Sequence, residues 1–384
     1  MDDINSPANI LVCGDFVPQA RVANLIEMER YEQLFGDLMQ DIRQADLAIV
    51  NLEVPLLSKG TCEPMAKSGP CLRGSEKSAD ALAFAGFKLV TLANNHIMDY
   101  GWQGLESTIR TCSQAGLACV GAGSNRESAR KAYWHECKGR RIAIINAAEN
   151  EWATTHDEHP GANPLDSIEL YHDIREAASQ ADHTMVILHG GHEGYRLPSP
   201  RLKKVCRFLI DIGADAVLGH HTHCFSGSET YKGKPIVYSL GNFAYDAKNR
   251  QTKGEDWHRG CAVLVSFLKD AVESKLIPFL QFLHMQEGIR CLNDAETEAF
   301  VMDAERRNEI IQDDSQLEQQ FDAFIRRKER MYRTMLEPVR NRLILAAMNW
   351  GFIPRFIRGR HKRYLLNLIR CEAHRDIVMH LLEE

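Results

Sequence analysis

Short apolar runs, each closed by a polar cluster, recur along the first part of this 384-residue chain and constrain its fold more than any other feature. Ile10-Leu11-Val12-Cys13 ends at Gly14-Asp15, Leu47-Ala48-Ile49-Val50 at Asn51-Leu52-Glu53, and Leu89-Val90-Thr91-Leu92 at Asn94-Asn95-His96. Thr184-Met185-Val186-Ile187-Leu188 ends at His189, and Ala216-Val217-Leu218 at Gly219-His220-His221-Thr222-His223. Continuous apolar runs of this length read as strands buried on both faces. In an open α/β sheet the carboxyl ends of the strands form the binding crevice, so clusters distant in sequence converge there. The residues on offer are Asp, Glu, Asn and several His, a mixture of oxygen and imidazole donors that suits divalent metals. The pattern predicts a metal-dependent hydrolase site.

The intervening segments fill in an α/β order. Strand 9–16 leads to a helix over 27–45, and strand 46–53 to a Gly/Pro/Ser-rich loop at 55–74. Helix 76–85, strand 87–93, helix 102–115 and strand 117–121 follow, with Gly116 as a C-terminal helix stop. Lys138-Gly139-Arg140 and Lys232-Gly233-Lys234 read as hairpin turns, and 261–268 with 272–283 as a further hairpin. The stretch 148–166 is a loop expected over the site mouth. Helix 167–180, strand 184–189, helix 199–212 and strand 215–219 resume the alternation, so a sheet with parallel and antiparallel parts is expected. Beyond about 290 the chain is helical and charge-rich, with helices near 295–335, 338–350 and 360–382. The expected division is therefore 8–290 and 291–384.

Composition narrows the class. Eleven cysteines, an odd number with no C-x-x-C pair, argue against a secreted disulfide framework and for reduced thiols. The segment Met1–Pro7 has neither a basic nor an apolar stretch, and no run approaches 18 apolar residues. The expectation is a cytoplasmic protein without signal peptide or spanning helix. From Phe321 onward, fourteen Lys/Arg face seven Asp/Glu, about +7, which leaves the rest near −13. The acidic part is not a nucleic-acid binder. The tail, with Arg355, Arg358, Arg360, Lys362, Arg363 and Arg370 among Phe356, Ile357, Leu365, Leu366 and Ile369, has two readings: a basic amphipathic face for an anionic membrane, or a solvated helix packing its apolar side on the core.

Taken singly, the site candidates also have ordinary readings. Asp15 suits a turn or cap, Asn94-Asn95 a strand-to-helix turn, and His189 a satisfied buried histidine. Three His in four residues after an apolar strand are harder to explain without a metal. Tyr195, Arg196 and Arg201 are candidates for a carboxylate or phosphate, or are solvated.

Read in order, the clusters resemble the CapA-type proteins of poly-γ-glutamate capsule synthesis, a branch of the calcineurin-like metallophosphoesterases. The resemblance rests on Gly14-Asp15, Asn51 to Leu56, Ala93 to Gly101, Gly121-Ala122-Gly123, His189 to Glu193, Gly219 to His223 and Tyr238 to Phe243, spanning 10–246. It implies a four-layer α/β/β/α sandwich with mixed sheets and an appended C-terminal helical region. It implies one metal held by Glu53, Asn95, His189 and His221, and a second held by Asp15, Glu53 and His223. The superfamily has another ligand two residues after the first Asp, where this chain has Val17. The second site is then weaker, absent, or completed by His192 or Glu193. His96 would be the general acid and Asp99 its orienting partner, with His192, Glu193, Arg196 and Asn242 as substrate contacts.

The implied cofactor is one or two divalent ions, with Mn, Zn and Fe not distinguished. The implied function is hydrolysis of a phosphoester or a γ-glutamyl amide in capsule or surface-polymer biosynthesis, or else non-catalytic assembly on the same fold. The partner would be a polymer or a small phosphorylated or carboxylated substrate, with the basic tail meeting an anionic membrane or the capsule machinery.

Overall fold

The computed structural model describes residues 6–58, 60, 62–67, 69–247, 254–370, 374 and 382. In chain order, its strands begin with β1 (Ala8–Val17), β2 (Leu47–Leu52), β3 (Leu89–Thr91), β4 (Ala118–Val120) and β5 (Ala122–Gly123). Next come β6 (Tyr133–Cys137), β7 (Arg140–Ala148), β8 (Gly161–Ala162), β9 (His183–His189) and β10 (Ala216–His220). The last are β11 (Ser228–Tyr231), β12 (Lys234–Val237), β13 (Asn242–Tyr245), β14 (Arg259–Phe267), β15 (Val272–Gln281) and β16 (Ile289–Cys291). Among the described residues they form an eight-stranded sheet ordered β16-β15-β14-β1-β2-β3-β4, with β13 also on β1, a six-stranded sheet ordered β11-β12-β10-β9-β7-β6, and a two-stranded sheet of β5 and β8. β1 to β4 run parallel, as do β7, β9, β10 and β12, while β14 to β16 and the outer strands β6 and β11 are antiparallel.

Side-chain alternation builds the layers. In β1, Ile10 and Val12 join Ile49, Leu89, Ile144, Ile187 and Leu218 in a core between the two sheets. Leu11 and Cys13 point the other way, into a core shared with Val22, Leu34, Phe35, Leu82 and Leu105 of the covering helices. Helices Ser167–Gln180 and Pro200–Asp211 pack on the second sheet. The result is the expected α/β/β/α sandwich. Each fully buried Ile or Leu in the central layer stabilises it by roughly 1.5–3 kcal/mol.

β1 changes partner halfway along. Ala8 to Val12 pair with β14, whereas Asp15 to Val17 pair with β13, and the register shifts between Cys13 and Asp15 and again between Asp15 and Phe16. Gly14 sits at the changeover, where a Cβ would lie 1.9 Å from the Gly241 carbonyl oxygen, so only glycine admits the close approach.

Several expected boundaries move. The helix expected over 27–45 starts at Ala20 and breaks after Glu27, with Glu29 at φ 57° and shorter helical pieces from Tyr31 to Gln44. The helix expected over 295–335 is divided into Asp294–Gln312 and Asp314–Leu336, because Asp313 caps the second helix by accepting from the Ser315 and Gln316 amides. Both turns centred on Lys138-Gly139 and Lys232-Gly233 have two successive positive φ values, which gives tight hairpins as expected.

The chain divides into two compact units, Met1–Glu318 and Gln319–Glu384, rather than near 290. Helix Asp294–Gln312 belongs to the first because Phe300 and Ala304 enter the inter-sheet core and the Arg307 guanidinium donates to the Phe225 carbonyl at 2.7 Å. The second unit contains the end of Asp314–Leu336, helix Arg342–Asn349 capped by Asn341, and helix Gly359–Arg370. The remainder of the helix expected over 360–382, and the Arg370 side chain, lie outside the described residues. No helix among the described residues is long and apolar enough to cross a membrane.

Candidate metal centre

The carboxyl ends of β1, β2, β3, β9 and β10 meet as the periodicity predicts. Asp15 stands on the irregular end of β1, Glu53 follows β2, Asn95 and His96 follow β3, His189 closes β9, and His221 and His223 follow β10. Two donor groups form: Glu53 with His189 and His221, and Asp15 with Glu53 and His223, the donor atoms of each lying within 4.8 Å of one another. Glu53 belongs to both. Asn95 joins the first group, its Oδ1 3.0 Å from His189 Nε2, which is itself 3.0 Å from His221 Nδ1 and 3.5 Å from a Glu53 oxygen. His223 Nδ1 lies 3.4 Å from Asp15 Oδ2 and 4.0 Å from the other Glu53 oxygen.

The neighbours of these donors hold them in place. The Asn51 amide donates to Asp15 at 2.7 Å and lies 3.3 Å from His189 Nδ1. Asn94 donates to the Leu52 carbonyl and accepts from the His96 amide, which fixes the loop presenting Asn95 and His96. His221 and His223 adopt φ of 93° and 57°. Such conformations cost about 1–3 kcal/mol each and persist where the surroundings over-determine them. Here they aim two imidazoles from one short loop at the same carboxylates.

The electrostatics suit a cation. Both oxygens of fully buried Glu53 lack a hydrogen-bond partner. Burial, followed by the charge of Asp15, pushes the Glu53 carboxyl well above its usual range. Burial also acts to raise Asp15, but the His223 hydrogen bond and nearby imidazoles hold it below the usual range. Burial, with repulsion from neighbouring imidazoles, lowers His189 and His221 and keeps them neutral. A buried carboxylate without donors is costly, and two neutral imidazoles, an amide oxygen and a second carboxylate complete a borderline-metal donor set. The residues present therefore fit one or two divalent ions.

A second cluster lies beside the first. His96 Nδ1 is 2.7 Å from Asp99 Oδ2, and the same carboxylate accepts from the Leu72 amide at 2.6 Å. Lys67, its side chain only 3% exposed, pairs with the other Asp99 oxygen and comes within 3.4 Å of His96 Nδ1. Lys67 was invisible in the sequence: it sits in the 55–74 loop, where no periodicity marks it. Asn51 belonged to a recognised cluster, yet its orienting role emerges only from its contacts. Glu151, from the loop expected over the site mouth, approaches His221 Nε2 at 3.8 Å.

Other expected contacts are placed differently. Val17 is fully buried in the helix-side core, because the irregularity at Asp15 and Phe16 breaks the alternation that would align residues 15 and 17. It is no vacant ligand position. His192 and Glu193 enter neither donor group, and Glu193 is exposed. Arg196 pairs with Asp303 and lies 3.3 Å from Asp256, while Arg201 pairs with Glu149, so neither presents an unopposed charge. Asn242 is buried and spends its amide inside the cluster, with Oδ1 3.0 Å from His223 Nδ1 and its nitrogen donating to the Trp257 carbonyl. It supports His223 within the cluster.

A buried carboxylate shared by two imidazole-containing donor groups, at the joined strand ends of two facing sheets, defines an α/β sandwich with a metal-type site. The chain belongs to the bacterial capsule synthesis protein family, PGA_cap, whose profile matches residues 9–247. It is 29% identical over 256 residues to the capsule biosynthesis protein CapA of Bacillus anthracis, covering 65% of this chain and 62% of that protein. It is 30% identical over 248 residues to the PGA biosynthesis protein CapA of Bacillus subtilis, covering 64% of each. The chain thus spans less than two thirds of the length of these relatives. A solved structure described as a novel phosphatase from Mycoplasma pneumoniae is 16% identical, with a TM-score of 0.45, and the match covers 71% of this chain and 94% of that one.

Proposed function

We propose that this protein is a metal-dependent hydrolase of capsule or surface-polymer biosynthesis, cleaving a phosphoester or a γ-glutamyl amide. The observation that carries this reading is Glu53, a buried carboxylate with no hydrogen-bond donor, shared by two groups of metal-type ligands. Glu53, Asn95, His189 and His221 would hold one ion, and Asp15, Glu53 and His223 a second. A divalent ion bound there would acidify a water molecule and polarise the scissile phosphoryl or carbonyl group. Asn51 keeps Asp15 and His189 oriented. His96, held by Asp99, donates a proton to the departing oxygen or nitrogen as the bond to it breaks. Lys67 and the Leu72 amide hold Asp99 in turn. Eleven cysteines without a disulfide-like spacing support a cytoplasmic setting.

A second reading, a binding protein of polymer assembly that uses the same pocket without catalysis, draws support from the Asp15, Glu53 and His223 group. It has three protein donors against four in the other group.

Metal analysis of protein purified without chelator tests the reading, with alkyl phosphomonoesters and γ-glutamyl peptides offered as substrates. The expected result is about one to two equivalents of divalent metal and hydrolysis of one substrate class, both lost in Glu53→Gln. Bound metal with no hydrolysis of either class would support the binding protein. Absence of metal would overturn the hydrolase and favour the binding protein.

A further inference from the structure

The second unit, outside the residues matched by the family profile, carries a surface the proposed hydrolase does not use. Between Val339 and Ile369 the sequence has seven Lys/Arg and no Asp/Glu. Arg355 is held by Glu337 and Asn349, but Arg358, Arg360, Lys362 and Arg363 form no ion pair with any described residue. Large apolar side chains on the same segment are left in the open instead of packing: Leu343 is 82% exposed, Trp350 70%, Phe352 78% and Ile369 60%. Phe356 and Leu366 on the same segment are 54% and 48% exposed.

We propose that this unit docks onto the surface of a bilayer with anionic headgroups, with Leu343, Trp350, Phe352 and Ile369 entering the headgroup boundary and Arg358, Arg360, Lys362 and Arg363 meeting the lipid charges. Large apolar and aromatic side chains next to cations are what an interfacial helix requires, and arginine reaches headgroups while its stem stays apolar. Since no helix among the described residues can span a membrane, the association is peripheral. A second copy is a poor occupant, because a two-fold contact would set the segment 339–369, which has no carboxylate, against itself. An acidic protein would meet the charge but does not account for exposed Trp350 and Phe352 on the same segment.

Flotation of the full chain with phosphatidylcholine vesicles, with and without about one third phosphatidylglycerol, tests the proposal. Binding is expected on the anionic vesicles alone, with release at high salt. Each cation removed should weaken partitioning roughly fivefold, so the variant combining Arg358→Gln, Arg360→Gln, Lys362→Gln and Arg363→Gln should lose several hundredfold. Trp350→Ser with Phe352→Ser should also weaken it, and unchanged circular dichroism would show that both variants fold. No flotation with anionic vesicles, equal flotation with neutral ones, or charge-variant binding equal to the parent would overturn the proposal. Self-association in solution that depends on Trp350 and Phe352, without vesicle binding, would assign the patch to a second copy.

Discussion

Asp99 holds His96 through a 2.7 Å contact to Nδ1, and Lys67, 32 residues before Asp99 in the sequence, pairs with the other oxygen of the same carboxylate. A carboxylate anchored on both sides fixes the imidazole's tautomer and direction, which a proton donor needs. His96→Ala should retain metal and lose about 10² to 10⁴ in rate on a substrate with a poor leaving group, with a smaller loss on an activated aryl phosphate. Lys67→Met should lower stability by about 3 kcal/mol, since it removes one partner of a buried pair. Steady-state kinetics on both substrates and urea denaturation check these outcomes. An equal loss on both substrates would remove the proton-donor role.

Metal binding should release protons. The Glu53 carboxyl, raised by burial and by Asp15, stays protonated in the metal-free protein above the pH at which an ordinary carboxyl ionises. His189 and His221, lowered by burial and by neighbouring imidazoles, are already neutral and have no proton to give up. Affinity should therefore strengthen as pH rises from the ordinary carboxylate range toward the raised Glu53 value, with release of about one proton. The same raised carboxyl makes the metal-free fold less stable as pH rises through that window, because the unfolded chain gives up the proton first. Calorimetry in buffers of different ionisation enthalpy measures the release, and a buffer-independent heat would exclude it.

Val17→His should not create a ligand. The position is packed in the helix-side core, so an imidazole there is a buried polar group without a partner, at a cost of about 1–3 kcal/mol. Thermal denaturation should show the loss, with metal stoichiometry unchanged. A gain of tightly bound metal would mean that the strand end can turn residue 17 toward Asp15.

The sequence by itself determined the main strands and the positions of the donors. Apolar runs mark β1, β2, β9 and β10 directly, and the polar residues closing them fall at the carboxyl ends because chain direction dictates it. Glu53, Asn95, His189, His221 and His223 were legible for that reason. Local pattern also revealed both hairpin turns, where a Lys-Gly pair accepts positive φ.

Only the tertiary structure decided the rest. β1 changes partner at Gly14, and that exchange, set by the approach of Gly241, turns Val17 away from Asp15. No local pattern encodes it, since alternation assumes an unbroken ladder. Arg196 was open to a substrate role until Asp303 and Asp256, distant in sequence, were found beside it. Lys67 gained a role only when its loop brought it to Asp99. Periodicity records which face of an element is buried, whereas the partner of a charged side chain depends on contacts between distant segments, and these a local pattern does not contain.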